Sequence, residues 1–321
     1  MHPIRLELET GLDVGTVNAY LFPTPEPVLV DTGIKSEQGY GVIAAALADH
    51  HLTIADLRRV IITHPHVDHC GLAARITRES EATVWIYERG QPWLLDFPGM
   101  WQQRTRYYQE YFLTKLGLPA WTEPFILNYL TMMVQLTESV PADRLITFDL
   151  DSPLSLGGVD WQVIYTPGHA SMMTCFYQPE TRQFLSADML LSKTPTPIVE
   201  QPEAGQARLP ALPVYLDSLA RVEQLDIDWV YPGHGEPFTG HRALIAQQRA
   251  QIFQRKGECL AHIQAGRHTI TAIVDEMYRH YPPQLRFTAL WMVVGYLDLL
   301  KAEGAIKEEE INGVWHYYLN Q

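Results

Sequence analysis

Apolar and polar side chains alternate at Ile4-Arg5-Leu6-Glu7-Leu8, and the run Val17 to Phe22 follows, so the chain opens with two strands. The Pro-rich stretch Pro23 to Pro27 predicts the turn after them, and Val28-Leu29-Val30 predicts a third strand entering the turn Asp31-Thr32-Gly33. Gly41 to His50 carries apolar residues at helical spacing, whereas Leu57 to Ile62 reads as a buried strand. A helix is expected from Gly71 and a strand at Thr83 to Tyr87. Further strands are expected at Leu145 to Phe148, Leu154 to Leu156, Trp161 to Tyr165, Thr174 to Tyr177, Gln183 to Ala187 and Asp228 to Tyr231, with a helix from Val214 to about Leu225.

Two stretches break this rhythm. From about 90 to 141 the chain is rich in large apolar rings, among them Trp93, Phe97, Trp101, Tyr108, Phe112, Trp121 and Tyr129, at spacings that suit helices. Residues Leu191 to Pro213 are Pro-rich without period, which suggests a loop. Beyond Phe238, a long helix from about His241 to Gln264 ends at the Ala265-Gly266 cap signal. Helices at Thr271 to His280 and Thr288 to Glu303 precede a hairpin around Asn312-Gly313.

The chemistry concentrates in Thr63-His64-Pro65-His66-Val67-Asp68-His69-Cys70-Gly71, directly after the apolar run Val60-Ile61-Ile62. Three imidazoles and a carboxylate in so short a loop suit metal ligation: His64 and His66 can share one cation while Asp68 and His69 turn toward a second. Imidazole nitrogen and carboxylate oxygen accept zinc first, with iron or manganese as alternatives. Cys70 reads as a small buried neighbour of the cluster.

This nonamer resembles the signature of the metallo-β-lactamase superfamily. That family completes its metal pair with a histidine in a Gly-His turn, an aspartate after a strand and a late histidine in a Pro-Gly-His turn. Here Thr166-Pro167-Gly168-His169, Phe184-Leu185-Ser186-Ala187-Asp188 and Tyr231-Pro232-Gly233-His234-Gly235 stand in that order. The resemblance implies that His64, His66 and His169 hold one metal ion, that Asp68, His69 and His234 hold the other, and that Asp188 bridges them. Asp31 is implied as the acceptor that orients a ligand ring.

It implies an α/β fold, a four-layer αββα sandwich over residues 1–240, with a helical cap inserted at about 90–141. Residues 241–321 resemble a winged helix. The implied activity is hydrolysis by a hydroxide held between the metals, with Asp68 as proton shuttle. Asp188 points away from the secreted β-lactamases, which lack the bridging aspartate, and toward thioesterases similar to hydroxyacylglutathione hydrolase. A single-strand endoribonuclease of the same fold is the alternative, and a noncatalytic sensor or regulatory protein a third.

Charge and cysteine content adjust this picture. A formal net charge of −13 disfavours capture of nucleic acid, and the hairpin triplet Glu308-Glu309-Glu310 does so locally. The expected partner is therefore a small acyl substrate, with the C-terminal region serving packing or a homodimer contact. Three widely spaced cysteines, no apolar leader and no membrane-length segment suggest a reducing cytoplasm.

Overall fold

The computed structural model describes residues 2–12, 14–118, 122–202, 206–281 and 286–320; Trp121 lies outside them. Strands β1 (Ile4–Glu9), β2 (Thr16–Phe22), β3 (Val28–Val30), β4 (Arg59–Ile62), β5 (Thr83–Tyr87) and β6 (Leu145–Phe148) lie side by side in chain order as one sheet. The first three are antiparallel neighbours, and β3 to β6 run parallel. The second sheet has the order β11 (Trp229–Pro232), β10 (Gln183–Ala187), β9 (Thr174–Gln178), β8 (Val159–Tyr165) and β7 (Leu154–Leu156).

The sheets meet face to face through ring contacts such as Phe22 with Trp161, Tyr20 with Tyr231 and Phe148 with Phe176. Every residue of β9 and β10 is buried, as expected of strands covered on both faces. Helices α1 (Glu37–Ala48), α2 (Val67–Cys70) and α3 (Ala73–Glu79) accompany the first sheet. The helix expected from Gly71 begins at Ala73 as α3, and the short α2 precedes it. Asp68 and His69 sit inside α2, and Gly71 lies so close to the backbone of Gly33 and Lys35 that a Cβ would collide there.

Directionality explains where the functional loops gather. Strands β3 and β4 are parallel, and β8, β10 and β11 share one direction because β8 and β10 both run antiparallel to β9. The C-terminal ends of these five strands carry Asp31, His64, His169, Asp188 and His234. A ligand set scattered along the sequence therefore converges at one edge of the sandwich.

The aromatic stretch folds as α4 (Gln91–Leu95), α5 (Phe97–Tyr107), a π turn (Tyr108–Phe112), α6 (Leu113–Lys115) and α7 (Thr122–Met133). Most of its rings are consumed in packing. Trp93, Phe97 and Trp101 contact one another, and Tyr108 and Phe112 lie against Trp291, with Phe112 also meeting Trp315. Tyr111, Tyr129 and Met132 remain exposed.

Downstream, α8 (Ala211–Glu223), α9 (His241–Gln264), α10 (Ile270–Met277) and α11 (Arg286–Ala302) precede a two-stranded hairpin of β12 (Ile306–Ile311) and β13 (Val314–Leu319). The outer strand β12 exposes Lys307 to Ile311. One apolar core runs continuously from the sheets through the aromatic stretch into α9, α10 and α11.

Candidate metal centre

Every sequence-predicted site residue falls within one cluster, buried except for the half-buried His66 and His234. Among the described residues three groups of ligand atoms each lie within 4.8 Å of one another: His64, His66 and His169; His64, His69 and Asp188; and Asp68, His69 and His234. His64 Nε2 and His169 Nε2 both sit 3.0 Å from His66 Nδ1. Asp188 stands between the groups, with Oδ1 3.4 Å from His69 Nε2, and Oδ2 3.4 Å from both His169 Nε2 and His234 Nε2. Asp68 Oδ2 lies 3.5 Å from His234 Nε2.

The fold fixes these rings from behind. Asp31, buried and in the left-handed region at φ 59°, receives Thr63 N at 2.9 Å on Oδ1 and His69 Nδ1 at 2.8 Å on Oδ2. Thr63 Oγ1 donates to Asp31 and lies 3.0 Å from His64 Nδ1. The carbonyls of Thr196 and Thr16 lie 2.9 Å and 2.6 Å from the Nδ1 atoms of His169 and His234. These partners hold each Nδ1 as the donor and turn the Nε2 of all four rings toward the centre. Ala187, at φ 44°, swings Asp188 off the end of β10. Gly233 leaves room for it, since a Cβ there would collide with Asp188 Oδ1 and His69.

Charge divides the cluster. Burial, reinforced by neighbouring imidazoles, pushes His64 and His66 well below the ordinary imidazole range, and burial also lowers His169. Burial opposes the charged form of His69 and His234 too, but there the carboxylates prevail. Asp188, Asp31 and Asp68 raise His69, and Asp188 and Asp68 carry His234 up to about 10. Against the same burial, His69 and His234 hold the Asp68 carboxyl at about 2 and Asp188 well below the usual carboxylate range.

Divalent metal fits this donor set. His69 Nε2 and Asp188 Oδ1 are buried without a hydrogen-bond partner, a costly arrangement that a cation between them would relieve. Tetrahedral coordination at about 2.0–2.1 Å separates neighbouring ligand atoms by roughly 3.3 Å. The observed separations of 3.0 to 3.5 Å bracket that value.

Several supporting groups carry no signal in the sequence. The carbonyls of Thr16 and Thr196 are backbone atoms, and any residue could supply them. Asn18 is a further example: its Nδ2 donates to the carbonyls of Pro232 and Gly235 and so holds the turn that bears His234. Cys70 is buried 3.8 Å from Thr137 Oγ1 and is absent from the ligand groups, and burial raises its thiol to about 12.

Comparison with known proteins agrees with the geometry. Residues 12–234 match the family model of the metallo-beta-lactamase superfamily, and the chain belongs to that superfamily. It is a metallo-hydrolase of that family. It is 27% identical over 305 residues to the probable metallo-hydrolase YqjP of Bacillus subtilis (strain 168), covering 94% of this chain and 93% of the relative. A second Bacillus subtilis protein, the probable metallo-hydrolase YflN, is 25% identical over 72% of this chain and 84% of its own length. Among solved structures, a metallo-beta-lactamase family protein from Thermus thermophilus superposes with a TM-score of 0.81 at 22% identity, covering 99% of this chain and 98% of that one. A beta-lactamase domain protein from Burkholderia ambifaria gives 0.78 at 24% identity, with 98% and 92% covered. Among the described residues, no helix is long and apolar enough to cross a membrane.

Proposed function

We propose that this metallo-hydrolase holds two divalent cations, zinc by preference, and cleaves a thioester or related acyl ester in the manner of hydroxyacylglutathione hydrolase. The carrying observation is Asp188, one carboxylate whose Oδ2 lies 3.4 Å from His169 of one ligand cluster and 3.4 Å from His234 of the other. His64, His66 and His169 would hold one cation, Asp68, His69 and His234 the other, with Asp188 common to both. When bound, such cations lower the pKa of water and polarise a substrate carbonyl.

The remaining work falls to the chain itself. Asp31, Thr63 and the carbonyls of Thr16 and Thr196 keep the rings in register, so little reorganisation is needed during turnover. Asp68 is ionised at neutral pH, as a group must be that accepts a proton from attacking water and passes it to the departing thiolate or alkoxide. The residue is 8% exposed, which keeps that proton from bulk solvent.

An acyl substrate suits the surface better than RNA. The net charge is −13, and β12 presents Glu308, Glu309 and Glu310 to solvent where a nucleic-acid reader would carry cations. Assay of acyl-CoA, acyl-glutathione, lactone and phosphodiester substrates, with His66→Ala as blank, tests the choice. Thioester or ester turnover that disappears in the variant is expected; turnover of the phosphodiester alone would overturn it.

A further inference from the structure

Residues 194–201 form an irregular strap between the turn of His169 and the aromatic helices, and Glu200 touches both, with Oε1 3.5 Å from Arg104 Nη2. Thr196, Ile198 and Glu200 face the turn of His169: the Thr196 carbonyl lies 2.9 Å from His169 Nδ1, Ile198 N donates to His169 O, and Glu200 Oε1 accepts from Ser171 N. Val199 and Gln201 face the aromatic helices, where the Val199 carbonyl accepts from Tyr108 Oη and Gln201 Oε1 from Arg104 Nε. The start of the strap is tied to α9, since Gln248 Nε2 donates to Leu191 O.

Between this strap and helices α9, α10 and α11 lies a cavity of about 670 Å³, the size of a small-molecule site. Thr196 belongs to both features, lining the cavity and holding His169. Thr194, also in the wall, keeps its Oγ1 buried without a hydrogen-bond partner. Gln247 and Gln251 add uncharged donors and acceptors from α9. Tyr281, 50% exposed, stacks on Tyr278 with centroids 5.7 Å apart at 23°, which leaves ring surface available.

The electrostatics of the walls run against those of the chain. Its overall charge is −13, yet the cavity carries Lys193 and Arg255 against the single acid Glu258. Arg255 is paired with Glu258 at 2.7 Å, and Lys193 has no ion-pair partner among the described residues. One uncompensated cation, neutral hydrogen-bonding groups and a tyrosine face together select a planar ring bearing one negative charge.

We propose that this cavity is a second small-molecule site, taking a ring-bearing monoanion, and that its occupant steadies His169 through Thr196. The coupling to His169 rests on the metal-ligand reading above, whereas binding at the cavity stands apart from it.

Calorimetric titration of the metal-loaded full chain tests both parts, with naphthalene-1-sulfonate and 4-hydroxybenzoate as probes and 4-hydroxybenzamide as the uncharged comparison. At least one anionic probe is expected to saturate, with 4-hydroxybenzamide weaker than 4-hydroxybenzoate. Lys193→Glu should weaken the saturating probe by about tenfold or more. Gln251→Glu should weaken it as well; both positions are exposed, so the fold is spared. No saturation, or equal binding in both variants, overturns the site.

Competition between the probe and an acyl substrate would make the ligand part of that substrate. Simultaneous binding would make it a separate effector, and either result upholds the cavity. Saturation that leaves the metal dissociation rate unchanged removes the link to His169. Binding is read as heat, so absence of hydrolytic activity would count against the hydrolase reading and leave this one standing.

Discussion

The two halves of the candidate metal centre use the same imidazole chemistry in opposite electrostatic settings. His64, His66 and His169 lie in a setting where burial drives protons off the rings. His69 and His234 lie among Asp31, Asp68 and Asp188, which hold protons on them. One half is thus ready for a cation at neutral pH, and in the other a cation must first displace protons. Asp188 is the residue that joins these behaviours.

Removing that joint has the largest expected effect. Asp188→Ala should lower turnover by about a thousandfold and abolish the second equivalent of metal, while the all-histidine half keeps its own. Steady-state kinetics with metal analysis would show it; unchanged turnover would mean that the bridge is misassigned.

The pH dependence separates the halves next. His234 is raised to about 10 without a cation, so it is protonated throughout the neutral range and must lose that proton on binding. Acidification from pH 8 to pH 6 should therefore weaken the second cation by about tenfold per unit for each proton released. The first cation, whose ligands are already neutral, should change far less. Competition with a chromophoric chelator at several pH values measures both, and parallel slopes would contradict the division.

Asp31→Ala should cost the second cation about 10–100-fold in affinity, because His69 would lose the acceptor that orients it. Equal loss in both halves would instead mark Asp31 as a general support of the fold, acting through Thr63. The mildest change is Gly233→Ala. Its methyl would press on Asp188 and His69, with an expected destabilisation of about 1–3 kcal/mol in thermal unfolding.

The clustering of the candidate ligands was legible in the sequence because metal chemistry restricts which side chains can occupy those loops. Strand positions were legible for a related reason, since short apolar runs bounded by Gly and Pro have few other uses. What escaped detection is built from atoms common to every residue. The Thr16 and Thr196 carbonyls that hold His234 and His169 could belong to any side chain, and Gly233 reveals its purpose only beside Asp188.

The strap is a similar case. Pro195 and Pro197 predict a loop there, and residues 194–201 are one, but no local signal says that its hydrogen bonds tie it both to the His169 turn and to the aromatic helices. The aromatic stretch was recognisable as helical, but composition could not say that Trp291 and Trp315, far along the chain, would receive Tyr108 and Phe112. Long-range partners of large apolar residues leave no local period to read.

The most direct test of the two-cation centre is metal content by plasma mass spectrometry on the chain purified at pH 8 and gel-filtered, beside Asp188→Ala. Close to two equivalents per chain, falling to about one in the variant, is the predicted result. A wild-type chain that retains none, or one equivalent that Asp188→Ala leaves untouched, would contradict it.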